Sequence, residues 1–305
     1  MKKVQRTIKR FYPLYLMFLP GVIYLFINCY IPMFGIQIAF RQYNARQGIF
    51  GSPWVGLSNF KYLFQTDDAF VMTRNTLLYN LVFILLGNTL AITVAIILNE
   101  IRHTRLKQTY QTLILIPYLI SMVIVSYLAF AFLSTSNGYF NNTLLKGFGR
   151  NPIDWYNTPK YWPFILVFIN EWKGLGYSMI LYYATICGID HTLYEAAEID
   201  GATRWQQVTN VTLPSLKSTI VILILMSLSG IFRSDFGLFY QVPQNSGPLI
   251  KVTQTIDTYV YRGLMQTANI GMSSAAGVYQ SIVGFALIIV ANTIVRKVDS
   301  DSSLF

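Results

Sequence analysis

Charge is scarce in this chain. Asp, Glu, Lys and Arg make up 12% of its 305 residues, about half the ~25% of an ordinary soluble domain. Cysteine and histidine are scarcer still, with two of each. Cys29 and Cys187 fall in apolar stretches and are expected to be reduced packing residues, with no disulfide and no metal site. His103 and His191 lack metal-ligand spacing and are expected at the surface of inner loops. No G-x-x-x-x-G-K-[ST] phosphate loop occurs, and the KGLG at 173–176 is only glycines beside a charge, so nucleotide hydrolysis is not expected in this chain. The formal charge of +10 comes without any basic and aromatic cluster, which argues against a nucleic-acid partner.

What the chain has instead is apolar length. Residues 11–40, 75–99, 108–145 and 263–295 carry no charge, and each exceeds the ~20 residues that cross a bilayer. Residues 161–189 are interrupted only by Glu171 and Lys173, and 218–240 only by Arg233 and Asp235. The reading is an all-α integral membrane domain spanning 1–305, with six helices at about 12–40, 75–99, 109–133, 161–189, 217–240 and 275–295, in contact with membrane lipid. The basic leader MKKVQRTIKR suggests a signal peptide, but the apolar run behind it is too long for one, so a retained first span is expected. With the N-terminus inside, the inner segments hold 12 basic residues in 56 positions and the outer ones 9 in 95. That asymmetry places both termini in the cytoplasm.

The polar segment 190–216 lies between the fourth and fifth spans. Thr192-x-x-Glu195 and Thr203-x-x-Gln206 both read as capping boxes, Gly201 as the left-handed stop of the first short helix, and Pro214 as the first turn of the next. This predicts helix, tight turn, helix, then membrane. Capping alone does not separate a docking element from a well-made connector, although Ala196 and Ala197 beside a carboxylate allow close approach by a partner.

The segment EAAEIDGA (195–202), followed by Val211-Thr212-Leu213-Pro214, resembles the EAA loop of bacterial ABC importer permeases, E-A-A-x-x-x-G with I-x-L-P about nine residues on. Val211 in place of Ile is a mild departure. GSPWVGLSNF (51–60), LNEIR (98–102), LIPYLIS (115–121) and IDTYVYRGL (256–264) extend the resemblance, to the sugar-type permeases. It implies the type I ABC importer permease fold in a bacterial plasma membrane, pairing with a second homologous permease as a heterodimer. It also implies two separate ATP-binding subunits that carry ATP and Mg, an extracellular solute-binding protein, and an oligosaccharide or polysaccharide-fragment substrate. No cofactor is expected in this chain and no catalysis by it. Glu195, Ala196, Ala197, Asp200, Gly201 and Ala202 are the residues the resemblance places against the ATPase, with Glu195 both a helix cap and a charged contact.

An ionisable group at membrane depth is a functional candidate by default. Glu171, Lys173, Arg233 and Asp235 are expected to pair across spans, Lys173 with Asp235 or Glu171 with Arg233. With Trp172, Tyr177 and Phe236 they are the candidate substrate pathway, because sugars stack on aromatic rings. A purely structural role for the charges, and aromatic packing against lipid, remain open at this level. Trp162, near a span end, reads as an interface anchor. A stand-alone secondary transporter or channel is the alternative, against which stands the lack of a convincing repeat of spans one to three in four to six. A membrane enzyme is disfavoured by the missing His, Cys and carboxylate constellations.

Overall fold

The computed structural model describes residues 2–298. Met1 and 299–305, which end the expected inner C-terminal segment, lie outside the described residues. Among the described residues there is no strand, only an isolated bridge between Arg41 and Trp54. Five helices are long and apolar enough to cross a membrane, with a sixth span if one bent pair is counted as a unit.

Span one (Phe11–Phe40) is irregular for a stated reason. Pro13 and Pro20 sit inside its helix, each removing a backbone donor, and around Pro32 the winding passes through a π segment (Phe26–Tyr30) into a 3-10 stretch (Ile31–Phe40). Phe11–Phe34 is exposed on this chain, while Ile31–Phe40 rests on span six (Ile270–Val298). Cys29 is also exposed, as is Cys187 at the end of span four, and both are free thiols. Neither is the packing residue its apolar neighbours suggested.

Span two (Asp68–Glu100) and span four (Trp162–Cys187) are the central pair. Gly87, Ala91 and Ala95 recur every fourth residue of span two, so one face of it is stripped of bulk and span four comes close. Ala91, Ala95 and Leu98 pack there on Met179, Tyr182, Ile186 and Leu216, and the Tyr182 hydroxyl donates to Asn88 Oδ1. At the other end of the pair, Tyr79 packs with Trp162, Leu166, Ile169 and Phe239. Trp162 is completely buried and its Nε1 donates to Trp155 O at 2.7 Å. It is a core residue of this bundle, not an interface anchor, because the 3-10 turn at Pro159–Tyr161 folds it back onto Trp155.

Two spans depart from the expected straight helices. Span three is a bent pair, Thr104–Leu119 and Met122–Leu133, turned by 95°. Pro117 lies in the last turn of the first piece. Ser121, in extended backbone, restarts the second by accepting from Ile124 N, as an N-cap does. The helix of span five ends at Ser229, where residues up to 240 were expected to be helical membrane span. Gly230 terminates it, the chain loses helical structure through Asp235, and a short π-helical segment, Gly237–Gln241, follows. The two breaks meet: a Cβ on Gly237 would stand 2.8 Å from Met122 Cβ.

Two asparagines tie the loops down at the end of the bundle remote from segment 190–216. Asn141, buried, donates to Ile153 O at 2.9 Å and accepts from Ile153 N and Trp155 Nε1 at 3.0 and 3.1 Å. Asn75 donates to Lys251 O and Gln254 O at 3.1 and 2.9 Å.

Candidate functional site

Segment 190–216 folds as an elbow. Its first helix, His191–Ile199, is capped by Asp190, whose carboxylate accepts from Thr192 N at 3.0 Å. Those hydrogen bonds from Thr192 hold the Asp190 carboxyl below its ordinary range. Thr192 is therefore one residue inside the helix, and Glu195 is not the reciprocal partner of a cap. Its carboxylate has no hydrogen-bond partner among the described residues and lines a cavity of about 400 Å3 with Asn99, Glu100, Arg102, Arg204 and Gln207. The helix ends as the sequence suggests. Gly201 has φ +76°, Ala202 N donates to Ala197 O at 2.9 Å and Gly201 N to Glu198 O at 3.0 Å. This 6→1 and 5→2 pair is a Schellman motif, and it explains Gly at 201 and small residues at 197 and 202.

Thr203 and Gln206 form the second capping box, both arms present. The helix that starts there does not stop before Pro214: Arg204–Ser229 is continuous, wound as a π segment over Val208–Thr212 and carrying Pro214 near the start of its last, longest piece. Elbow and span five are thus one rod. Arg204 pairs with Glu198 across the turn at 3.4 Å, and Tyr194 and Thr212 hydroxyls meet at 2.8 Å. The outward surface is apolar at two points, Ile199 at 86% exposure and Trp205 at 73%. These two make the elbow's outward face the candidate contact surface. Sequence reading placed Trp205 only as a residue of the second short helix and passed over Ile199. The available signal was Ile and Trp at positions where the elbow has no core of its own to bury them.

At the helix breaks the seven pathway residues separate into groups. Glu171 is buried against span two, where a Cβ on Gly87 would lie 2.9 Å from its Oε2, and it accepts from Asn170 Nδ2 at 3.2 Å. Trp172 faces an apolar cavity with Phe132 and Phe168. Lys173 donates to Tyr118 O at 2.8 Å, at the end of the first piece of span three, and its Nζ lies 5.5 Å from the Tyr118 ring centroid. Tyr177, one turn on, stacks on the same ring at 5.0 Å and 14°. In the second break, Arg233 borders a small cavity with Gln280 and Ser281 of span six. Asp235 accepts from Leu238 N at 3.0 Å, capping the segment beyond. Phe236 stacks on Tyr240 at 4.7 Å and meets Tyr261 at 4.6 Å.

Neither expected cross-span ion pair forms; the only pair among the described residues is Arg204 with Glu198. The physical reason is the second break. Arg233 and Asp235 were placed by helical rise along a helix that has already ended at Ser229. What holds this break is Asp257, which sequence reading missed. It accepts from Ser234 N at 2.7 Å, from the Ser234 hydroxyl at 2.8 Å and from Gln280 Nε2 at 3.2 Å. Tyr118 was also missed, although it stands inside the quoted LIPYLIS.

A bundle of apolar spans, two of them broken where they meet, with a capped elbow fused to one of them, is the architecture of a multi-pass membrane protein. Residues 87–300 match the family described as binding-protein-dependent transport system inner membrane component, and the chain belongs to that family; it is a permease of the ABC importer type. It is 36% identical over 284 residues, 93% of this chain and 88% of its relative, to the polygalacturonan/rhamnogalacturonan transport system permease protein YteP of Bacillus subtilis (strain 168). Among solved structures it is similar to a bacterial ABC transporter involved in the import of the acidic polysaccharide alginate (TM-score 0.89, 33% identity, 97% of this chain and 99% of that one). It is also similar to a bacterial alginate ABC transporter in complex with alginate pentasaccharide-bound periplasmic protein (TM-score 0.86, 33% identity, 96% and 97%).

Proposed function

We propose that this chain is one half of a permease heterodimer that imports oligosaccharides or polysaccharide fragments through a bacterial plasma membrane, with both termini in the cytoplasm. Two separate subunits bind and hydrolyse ATP with Mg, and this chain performs no catalysis. An extracellular solute-binding protein delivers the sugar. The observation that carries the reading is the elbow: a Schellman turn that displays Ile199 and Trp205 at the end of a rod continuous with span five. Such a rod delivers a push received at the elbow to the broken, aromatic-lined crossing of spans three and five. The printed functions of the relatives support the sugar class and the delivering protein.

The test is purification of the tagged chain from its native membrane, followed by uptake of labelled oligosaccharides in cells lacking it. Recovery of an ATPase and a second permease, with loss of ATP-dependent uptake in the deleted cells, is the expected result. A chain that transports as a lone homomer without nucleotide overturns the reading.

A further inference from the structure

The second piece of span three (Met122–Leu133) and the outer half of span four stand apart over a groove of about 540 Å3. Its floor is Val125, Ala129 and Ile169, all buried in one cluster. Its rim carries Phe164 and Phe168, 77% and 68% exposed on this chain. Phe140 and Trp155, from loop 134–160, close its outer end, and Trp172 lies at its inner end. The two tryptophans are the only lining residues with a polar side-chain atom, and Trp155 Nε1 is spent on Asn141 Oδ1 at 3.1 Å. The groove therefore offers a sugar no set of hydrogen-bond partners.

From Phe164 to Trp172, and from Leu133 back to Val125, each wall runs eight residues, about 12 Å at ~1.5 Å per residue. The hydrocarbon core is ~30 Å thick, so the groove is about one leaflet deep and lies in the outer leaflet. It stops where span three turns by 95°. A helix of a second permease would cross both leaflets and meet this groove for only half its length; a single acyl chain has the matching length. The outer loop supplies the other half of a lipid's chemistry. Lys146, Arg150 and Lys160 stand in it against one carboxylate, Asp154, which already accepts from Thr135 Oγ1 and Asn157 Nδ2 at 3.0 and 2.7 Å. None of the three cationic side chains has a hydrogen bond or ion pair among the described residues, and cations gathered on an outer loop run against the usual inward bias. Lys160 is the one that contacts place at the groove. Its Nζ lies 4.7 Å from the Tyr161 ring centroid, and that ring lies 5.1 Å from the ring of Trp155.

We propose that the groove is a lipid site: one acyl chain of an anionic glycerophospholipid of the outer leaflet lies between spans three and four, with its phosphate on Lys160. The chain fills the space that keeps the second piece of span three off span four, next to the break at Ser121. Lys146 and Arg150 add attraction at longer range. The site rests on the outer placement of loop 134–160 and not on what the permease carries.

The test is quenching of tryptophan fluorescence in the assembled transporter, held in phosphatidylcholine nanodiscs doped with a phospholipid brominated along its acyl chains. Brominated phosphatidylglycerol is compared with brominated phosphatidylcholine, and the signal lost in Trp172→Phe isolates Trp172. A cation beside an anionic headgroup changes occupancy by a factor of roughly 5. Phosphatidylglycerol is therefore expected to quench Trp172 at a fraction lower than phosphatidylcholine by roughly 5-fold or more. Lys160→Gln should raise the phosphatidylglycerol fraction needed by about 5-fold and leave the phosphatidylcholine curve unchanged, and Lys160→Arg should behave as the unsubstituted chain. Equal curves for the two lipids would show ordinary boundary lipid. An advantage that survives Lys160→Gln would put the headgroup elsewhere, and no quenching by either lipid would show a segment of the second permease in the groove. Each of these overturns the site. The importer reading survives any of them as long as the ATPase and second permease are recovered with the chain and uptake of some oligosaccharide depends on it.

Discussion

Gly201 offers the sharpest test of the elbow, because its conformation and its surroundings make separable demands. Its φ is +76°, and a Cβ built on it meets nothing within 4 Å. Bulk alone therefore has no steric consequence; what a side chain disturbs is the left-handed backbone. That conformation costs an ordinary L-residue about 1–2 kcal/mol. Two hydrogen bonds depend on it, Ala202 N to Ala197 O and Gly201 N to Glu198 O. A penalty of 1–2 kcal/mol is a factor of roughly 5–30 between populations. Gly201→Ala is accordingly expected to weaken binding of the purified ATPase to the permease in nanodiscs by about that factor. Gly201→Val should weaken it more, and Gly201→Asn, a residue that tolerates the left-handed region, much less. Thermal unfolding of the permease itself should shift by no more than that local penalty in any of the three. Ala indistinguishable from Gly, or Asn as damaging as Val, would refute the claim that the turn is a shape the ATPase reads.

Two further predictions concern the frame that holds the elbow and the crossing. A Cβ on Gly176 would lie 2.4 Å from Ile114 O and 2.7 Å from Leu115 Cα, backbone atoms that cannot swing aside, so Gly176→Ala should destabilise the contact of spans three and four by about 1–3 kcal/mol, read as a lowered unfolding temperature in detergent; no shift would contradict the packing. Asn141→Leu leaves Ile153 N and Trp155 Nε1 without their acceptor, at about 1–3 kcal/mol for each group that stays buried. Hydrogen exchange in 134–160 should rise while the elbow helix is unaffected, and uniform exchange across both would show that Asn141 does not act locally.

Much of the fold was legible because a membrane span announces itself by the absence of charge. The elbow was legible for a different reason. Gly201, Thr203 and Gln206 are residues whose backbone preferences point to one geometry, and the structure has that geometry. The breaks were not legible, since a charge-free run reads the same whether its helix is straight or bent by 95°. Ser121 restarts span three, but a serine in an apolar run more often bonds back to its own helix, as Ser126, Ser215 and Ser227 do here. The error at Arg233 and Asp235 followed from the second break, because depth and pairing were counted along a helix that had stopped. Asp190 and Thr192 both suit a cap, and only the extended backbone at Asp190 decides between them. Trp162 misled for a related reason: tryptophan near a span end suits the interface until a turn folds it inward.

The placement of the breaks also bears on how the proposed coupling elbow would work. Arg204–Ser229 is 26 residues of unbroken helix, about 39 Å at ~1.5 Å per residue. A packed helix of that length moves as a unit, so a displacement imposed at the elbow has to be absorbed where the helix ends. It ends at Gly230, and between there and Asp235 the chain is held by Phe232, buried in one cluster with Ile256 and Ala276, by Asn80 and Gln280 donating to Arg233 O and Phe232 O at 2.8 Å, by the Ser234 hydroxyl on Thr255, and by Asp257, which accepts from Ser234 and Gln280. The end of the rod therefore lies beside the break in span three, where Met122 stands against Gly237. Straight fifth and third spans would carry the same push past the crossing without rearranging it. On the proposed importer reading, two broken spans in contact would convert it into a change of the surface that a solute meets.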